Sequence, residues 1–152
     1  MVYTELKKRN KRTYFYRVIS IREGKKVKKQ RVYLGVNIGP VSLQKKEKEA
    51  DKHILNRQIN KSLEKIKTDI LPILKENNIK KAGIFGSYTK GLQKKNSDID
   101  ILVQPAEHMG FAFARLKEQL TKTLKRKVDV VSYNGLSPYL RDKILQEEVR
   151  IL

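Results

Sequence analysis

Cysteine is absent from the 152 residues. That excludes disulfides, thiolate metal sites and a cysteine nucleophile, and it fits a reducing cytosol. No run approaches the roughly 20 apolar residues of a membrane span, and the N-terminus lacks the apolar core of a secretory signal. A soluble, cytoplasmic protein with no membrane partner is therefore expected. Histidine is scarce: His53 and His108 stand singly, without ligand spacing, and surface positions are expected for both. Acids are also few, 16 Asp and Glu against 35 Lys and Arg, leaving a formal net charge of +19.

The excess is uneven. Residues 1–50 hold 15 Lys and Arg but only the four acids Glu5, Glu23, Glu47 and Glu49, a net +11. The remaining 102 residues carry +8. A charge of this size attracts polyanions such as nucleic acid or nucleotide, or an acidic partner. It is equally the mark of a Lys-rich solvated surface of the kind found in heat-adapted proteins.

Three stretches follow from periodicity. Residues 1–40 read as strands: Thr13 to Ile21 is β-branched and aromatic, Glu23-Gly24 signals a turn, and Lys28 to Leu34 alternates basic and apolar residues, so a hairpin is expected. A second, helical stretch covers about 42–77. Ser42 caps its entry, and Leu43, Ala50, Ile54, Leu63, Ile66, Ile70, Ile73 and Leu74 recur at helical spacing. A break or kink is expected at the polar segment Arg57–Lys61 or at Pro72, and Asn77-Asn78 ends the helix. The third stretch, 82–152, alternates apolar strands (Ala82–Phe85, Asp100–Val103, Val128–Ser132) with helices. One runs from Phe111 to Leu124 with Phe111, Ala114, Leu116 and Leu120 inward, and another opens at Ser137-Pro138 and runs to about Glu148. Val149–Leu152 reads as a short closing strand. The fold class is α/β.

Chemistry concentrates in the third stretch. Gly86-Ser87 follows an apolar strand, where exposed amides and a hydroxyl can hold phosphate oxygens. Alone, Gly-Ser is an ordinary turn. In Asp98-Ile99-Asp100 an extended chain would project both carboxylates from one face, which is costly unless a hard divalent cation lies between them. Asp129 stands between Val128 and Val130-Val131, an acid inside an apolar strand. Three carboxylates from two neighbouring strands describe an oxygen-only site for two Mg²⁺ ions about 3.5–4 Å apart. The competing reading places Asp129 at a strand end, paired with a lysine.

Gly-Ser, ten residues, Asp-x-Asp and a third Asp on a later strand together resemble the signature of the nucleotidyltransferase superfamily that includes DNA polymerase beta. From about Leu63 onward the chain is similar to a minimal nucleotidyltransferase (MNT) domain, through Lys80–Tyr88, Ser97–Val103, Arg126–Val131 and Leu136–Arg141. The resemblance implies a nucleotidyltransferase fold, a small mixed β-sheet packed with helices, over residues 63–152. A basic β-hairpin module at 1–41 and a linking helix at 42–62 precede it. It also implies that Asp98 and Asp100 ligate both metals and that Asp129 ligates one and helps to activate the attacking hydroxyl. Gly86 and Ser87 would hold the β- and γ-phosphates. Where the family has arginine before the second glycine, Lys90 stands here, keeping the charge without the bidentate geometry. The implied reaction is Mg²⁺-dependent transfer of NMP from an NTP, AMP from ATP, to a partner protein. In the family that partner is a HEPN-type toxin, and the transferase acts as antitoxin.

A different class of function stays open. Tyr3, Tyr14, Phe15, Tyr16 and Tyr33 lie among basic residues. They form either a stacking face for nucleic acid or the apolar face of a sheet. On the first reading the chain binds nucleic acid through its N-terminal module, and the nucleotidyltransferase domain acts on RNA or is inactive.

Overall fold

The computed structural model describes residues 1–23, 26–94, 96–105 and 110–152, with Glu23 and Phe111 described by their backbone alone. Gly24 of the expected turn, the Phe111 side chain and His108 lie outside the described residues. The chain divides into two units, Met1–Asn56 and Arg57–Leu152.

The first unit is a three-stranded antiparallel sheet, β1 (Val2–Arg9), β2 (Arg12–Glu23) and β3 (Lys26–Val36), in that spatial order. The expected hairpin is present as β2–β3 with a bulge between Phe15 and Tyr16, and β1 adds a third strand. Asn10 and Lys11 join β1 to β2 with φ of 47° and 57°. Two left-handed residues match the strand twist of a two-residue hairpin. One sheet face meets the first turns of α1 (Pro40–Glu76). There the Arg17 guanidinium grips Asp51 through two 2.7 Å hydrogen bonds, and the Thr4 hydroxyl donates to Glu47. Ile19, Leu34, Ala50 and Ile54 are buried.

The helix α1 begins at Pro40, so Ser42 lies inside its first turn rather than capping it; the Leu43 amide donates to the Gly39 carbonyl at 2.9 Å. It also runs through both expected break points. Arg57–Lys61 is polar but holds no helix breaker, and it simply adds to the solvated side. Pro72 deprives the Thr68 carbonyl of its partner, but both residues are exposed, so water meets that carbonyl while buried Ile70 and Leu74 hold the turn. The helix ends as expected. Asn78 turns left-handed (φ 53°), and Ile79 and Asn78 amides return to Leu74 and Lys75 carbonyls at 2.9 and 3.0 Å.

The second unit contains the C-terminal part of α1 and a four-stranded mixed sheet. Its strands are β4 (Lys81–Phe85), β5 (Ile99–Gln104), β6 (Val128–Ser132) and β7 (Val149–Arg150), in the order β6-β5-β4-β7. β5 pairs antiparallel with β4 and parallel with β6. Helices α2 (Ser87–Lys90), α3 (Gly110–Leu124) and α4 (Pro138–Glu147) connect them. Strand alternation sorts the core into two layers. Ala82, Ile84, Ile99, Ile101, Val103 and Val128 pack with Leu63, Ile66, Ile70 and Leu74 of α1 and Leu116 and Leu120 of α3. The opposite face carries a smaller cluster of Leu102, Tyr133 and Leu136. Leu116 and Leu120 of α3 are fully buried as expected, whereas Ala114 is exposed, contrary to expectation, and Phe113 packs against the core in its stead, as does Leu124.

Candidate active site

The face of the second sheet turned away from the larger core is where the acids stand. With Ile99 and Ile101 committed to the core, alternation sends Asp100 to the other side. It is paired in register with Phe85 on β4 and with Asp129 on β6. Asp98 precedes β5 by one residue and shares the Asp100 side. The structure thus brings the three acids together around one strand.

Gly86 closes the site on its β4 side. Its backbone (φ 76°, ψ −138°) is closed to side chains, and a Cβ there would collide with the Asp100 carboxylate. Glycine is therefore required twice, for conformation and for approach. The chain then turns into α2, whose Tyr88 is buried and anchors it. The Thr89 hydroxyl donates to the Gly86 carbonyl at 3.0 Å, and left-handed Gly91 (φ 69°) ends the helix. Ser97 steadies the approach to β5: its hydroxyl accepts from the Lys94 amide at 2.8 Å, and its backbone amide donates to the Lys94 carbonyl at 3.1 Å.

The three carboxylates differ in environment. Burial first, then the Asp129 and Asp98 charges, push the Asp100 pKa up, with Lys127 opposing. Asp129 goes the other way, held down chiefly by a hydrogen bond from Lys117, whose Nζ lies 3.0 Å away. The Asp129 side chain is 42% exposed, so the expectation of an acid enclosed in an apolar strand gives way to one at an open rim with a lysine partner. Lys127 Nζ is 2.6 Å from Asp98, and that contact raises the lysine's pKa. Lys90 pairs with Glu147 of α4 at 2.8 Å.

Two residues of this cluster, Lys117 and Lys127, are not among those singled out from sequence. Lys127 was within reach: it precedes Asp129 by two and therefore shares its face. Lys117 was not, because its direction depends on how α3 docks.

The donor set suits a hard divalent cation. It is oxygen-only, and the burial and neighbouring acid charges that raise the Asp100 pKa are disadvantages that such a cation would offset. Among the described residues no three acidic or histidine side chains are already gathered around one point, since Asp98 and Asp129 lean toward their lysines.

A mixed sheet with an acidic face beside a glycine-serine turn is the arrangement expected of a nucleotidyltransferase. The polymerase beta nucleotidyltransferase family model matches residues 64–152, and the chain belongs to that family, in its minimal form. Over 92 residues, 60% of this chain and 99% of the relative, it is 45% identical to MJ0435 of Methanocaldococcus jannaschii, provisionally named a protein adenylyltransferase. It superposes on a provisionally identified minimal nucleotidyltransferase with a TM-score of 0.53 and 32% identity, covering 59% of this chain and 92% of that one. A crystal structure of a toxin–antitoxin with AMP-PNP gives a TM-score of 0.52 and 29% identity over 57% of this chain and 72% of the other. The chain is thus an enzyme that transfers a nucleotidyl group. Among the described residues no helix is long and apolar enough to cross a membrane.

Proposed function

We propose that this nucleotidyltransferase moves AMP from ATP onto a HEPN-type helical partner protein and serves as the antitoxin of that pair. The observation that carries the reading is Asp100, in register with Asp129 and pressed against Gly86. A phosphate chain lying on the Gly86-Ser87 backbone would bring its α-phosphorus beside the acids. The name of MJ0435 and the ATP analogue in the toxin–antitoxin structure support the donor and the type of acceptor.

In this reading Asp98 and Asp100 would hold both Mg²⁺ ions and Asp129 would hold one of them. The ions would neutralise the triphosphate and the charge that develops on the leaving group. The partner's hydroxyl oxygen forms a bond to the α-phosphorus as its proton passes to Asp129, the bond to the bridging oxygen breaks in line, and pyrophosphate leaves. Asp129, at the accessible rim, positions the incoming hydroxyl. Gly86 and Ser87 hold the β- and γ-phosphates. Lys90 joins them only by leaving Glu147, which makes it the most dispensable of the nucleotide contacts.

The test is label transfer. ATP labelled at the α-phosphate, Mg²⁺ and the protein encoded beside this one are incubated together. Label is expected on the partner, and it is expected to vanish in Asp98→Ala and Asp100→Ala. A partner left unlabelled by the wild-type chain would overturn the proposal.

A further inference from the structure

The N-terminal sheet has a face that the transferase chemistry does not use. Thr4 and Arg17, partners in register, point to Glu47 and Asp51 of α1. The alternate residues therefore occupy the other face. Tyr3 pairs with Val18, Glu5 with Tyr16 and Lys7 with Tyr14 across β1–β2; Tyr33, Arg31 and Lys29 stand opposite Tyr16, Val18 and Ser20 across β2–β3.

Contacts within that face agree with the register. The Tyr16 and Tyr33 rings lie 5.5 Å apart, tilted by 53°, and Lys7 Nζ sits 5.6 Å from the Tyr16 ring centre. Arg31 crosses the central strand to Glu5 at 2.7 Å. Val18, flanked in register by Tyr3 and Arg31, is fully buried between them. The rings stay accessible: Tyr33 is 54% exposed, and Tyr3, Tyr14 and Tyr16 are half-buried. Lys7, Lys29 and Arg31 are exposed, and Glu5 is the one acid among them.

An aromatic row alone would be an ordinary sheet face. Here it is interleaved with cations, in a segment carrying net +11 over its first 50 residues. Rings stack on unpaired bases, and lysines and arginines track a phosphate backbone. A duplex hides its base faces, and the single strand with exposed bases in a cell is ordinarily RNA.

We propose that this face binds single-stranded RNA, with Tyr16 and Tyr33 stacking bases and Lys7, Lys29 and Arg31 meeting the phosphates. The inference is independent of the transfer reaction and goes beyond it. It makes the N-terminal sheet an RNA-docking module on a nucleotidyltransferase.

Fluorescence anisotropy on the full chain tests it, using a labelled unstructured RNA oligonucleotide, the DNA of the same sequence, and an RNA duplex. The RNA is expected to bind best, with log affinity falling linearly as log salt rises. Tyr16→Ala and Tyr33→Ala are each expected to weaken it by about tenfold, while Tyr16→Phe and Tyr33→Phe retain binding. Lys29→Glu, whose exposed side chain leaves the fold intact, is expected to weaken binding and flatten the salt slope. Asp100→Ala is expected to bind as the wild type does. Duplex or DNA binding tighter than RNA, or affinity indifferent to the alanine and Lys29→Glu substitutions in chains that melt as the wild type does, would overturn the proposal.

Discussion

Gly86 and Asp100 touch across the β4–β5 pair so closely that residue 86 has no room for a Cβ. The carboxylate at the centre of the acidic face is thereby seated on bare backbone. The glycine that opens the sequence signature thus has its requirement set by Asp100, fourteen residues on by the numbering.

Gly86→Ala and Gly91→Ala should separate the two demands on glycine. Both residues have positive φ, and an alanine in such a conformation costs about 1–3 kcal/mol. At Gly86 a Cβ would in addition collide with the carboxylate of the acidic face. Melting temperatures should fall in both variants, whereas transfer activity should collapse, by about a hundredfold or more, in Gly86→Ala alone.

Asp100→Asn should raise the melting temperature in EDTA while abolishing transfer. The raised pKa means that the folded state disfavours the ionised carboxylate, so at neutral pH its charge opposes folding, and a neutral amide removes that opposition. Asp129 has the opposite sign. Its lowered pKa marks a favourable charge that is lost as pH falls, so Asp129→Asn should leave stability unchanged or reduce it by up to about 1 kcal/mol, the scale of an exposed pair. Added Mg²⁺ should raise the melting temperature of the wild type more than that of Asp100→Asn. Calorimetry with and without Mg²⁺ checks all three.

Lys127→Gln should lower the Mg²⁺ concentration for half-maximal transfer by up to about fivefold, the range of an exposed ion pair. The ammonium lies against Asp98 and its charge also acts on Asp100, so it competes with a cation for the same carboxylates. Titration of activity against Mg²⁺ reads this. The shift should shrink as KCl screens the contact.

Tyr133→Phe should flatten the alkaline loss of stability. Burial and the hydrogen bond to Glu148 push the Tyr133 pKa above its ordinary value. The fold therefore holds the phenol neutral after an unfolded chain would release its proton, and stability falls as pH rises past about 10. The variant loses about 1 kcal/mol near neutrality but should show a shallower decline in melting temperature above that pH.

Much of this could be read from sequence because strand and helix periods were undisturbed in the second unit. Val128–Ser132 matched residue for residue, and Ile99 and Ile101 fixed the side on which Asp100 had to fall. What could not be read depended on tertiary packing. Pro72 looked like a break, but its freed carbonyl faces water while its neighbours are pinned in the core. Ala114 and Phe113 are both apolar, and only the docking of α3 chooses between them. β1 is largely polar and basic, and its strand state depends on pairing with β2. The ion pairs Lys117–Asp129, between the consecutive elements α3 and β6, and Lys90–Glu147, between α2 and α4, depend on how the helices dock, and no local spacing announces them.

The most direct measurement is the intact mass of the proposed HEPN-type partner after incubation with this enzyme, ATP and Mg²⁺. The account predicts one or more increments of an adenylyl group with the wild-type chain and none with Asp100→Ala. An unchanged mass with the wild-type chain, or increments of a phosphoryl group alone, would contradict it.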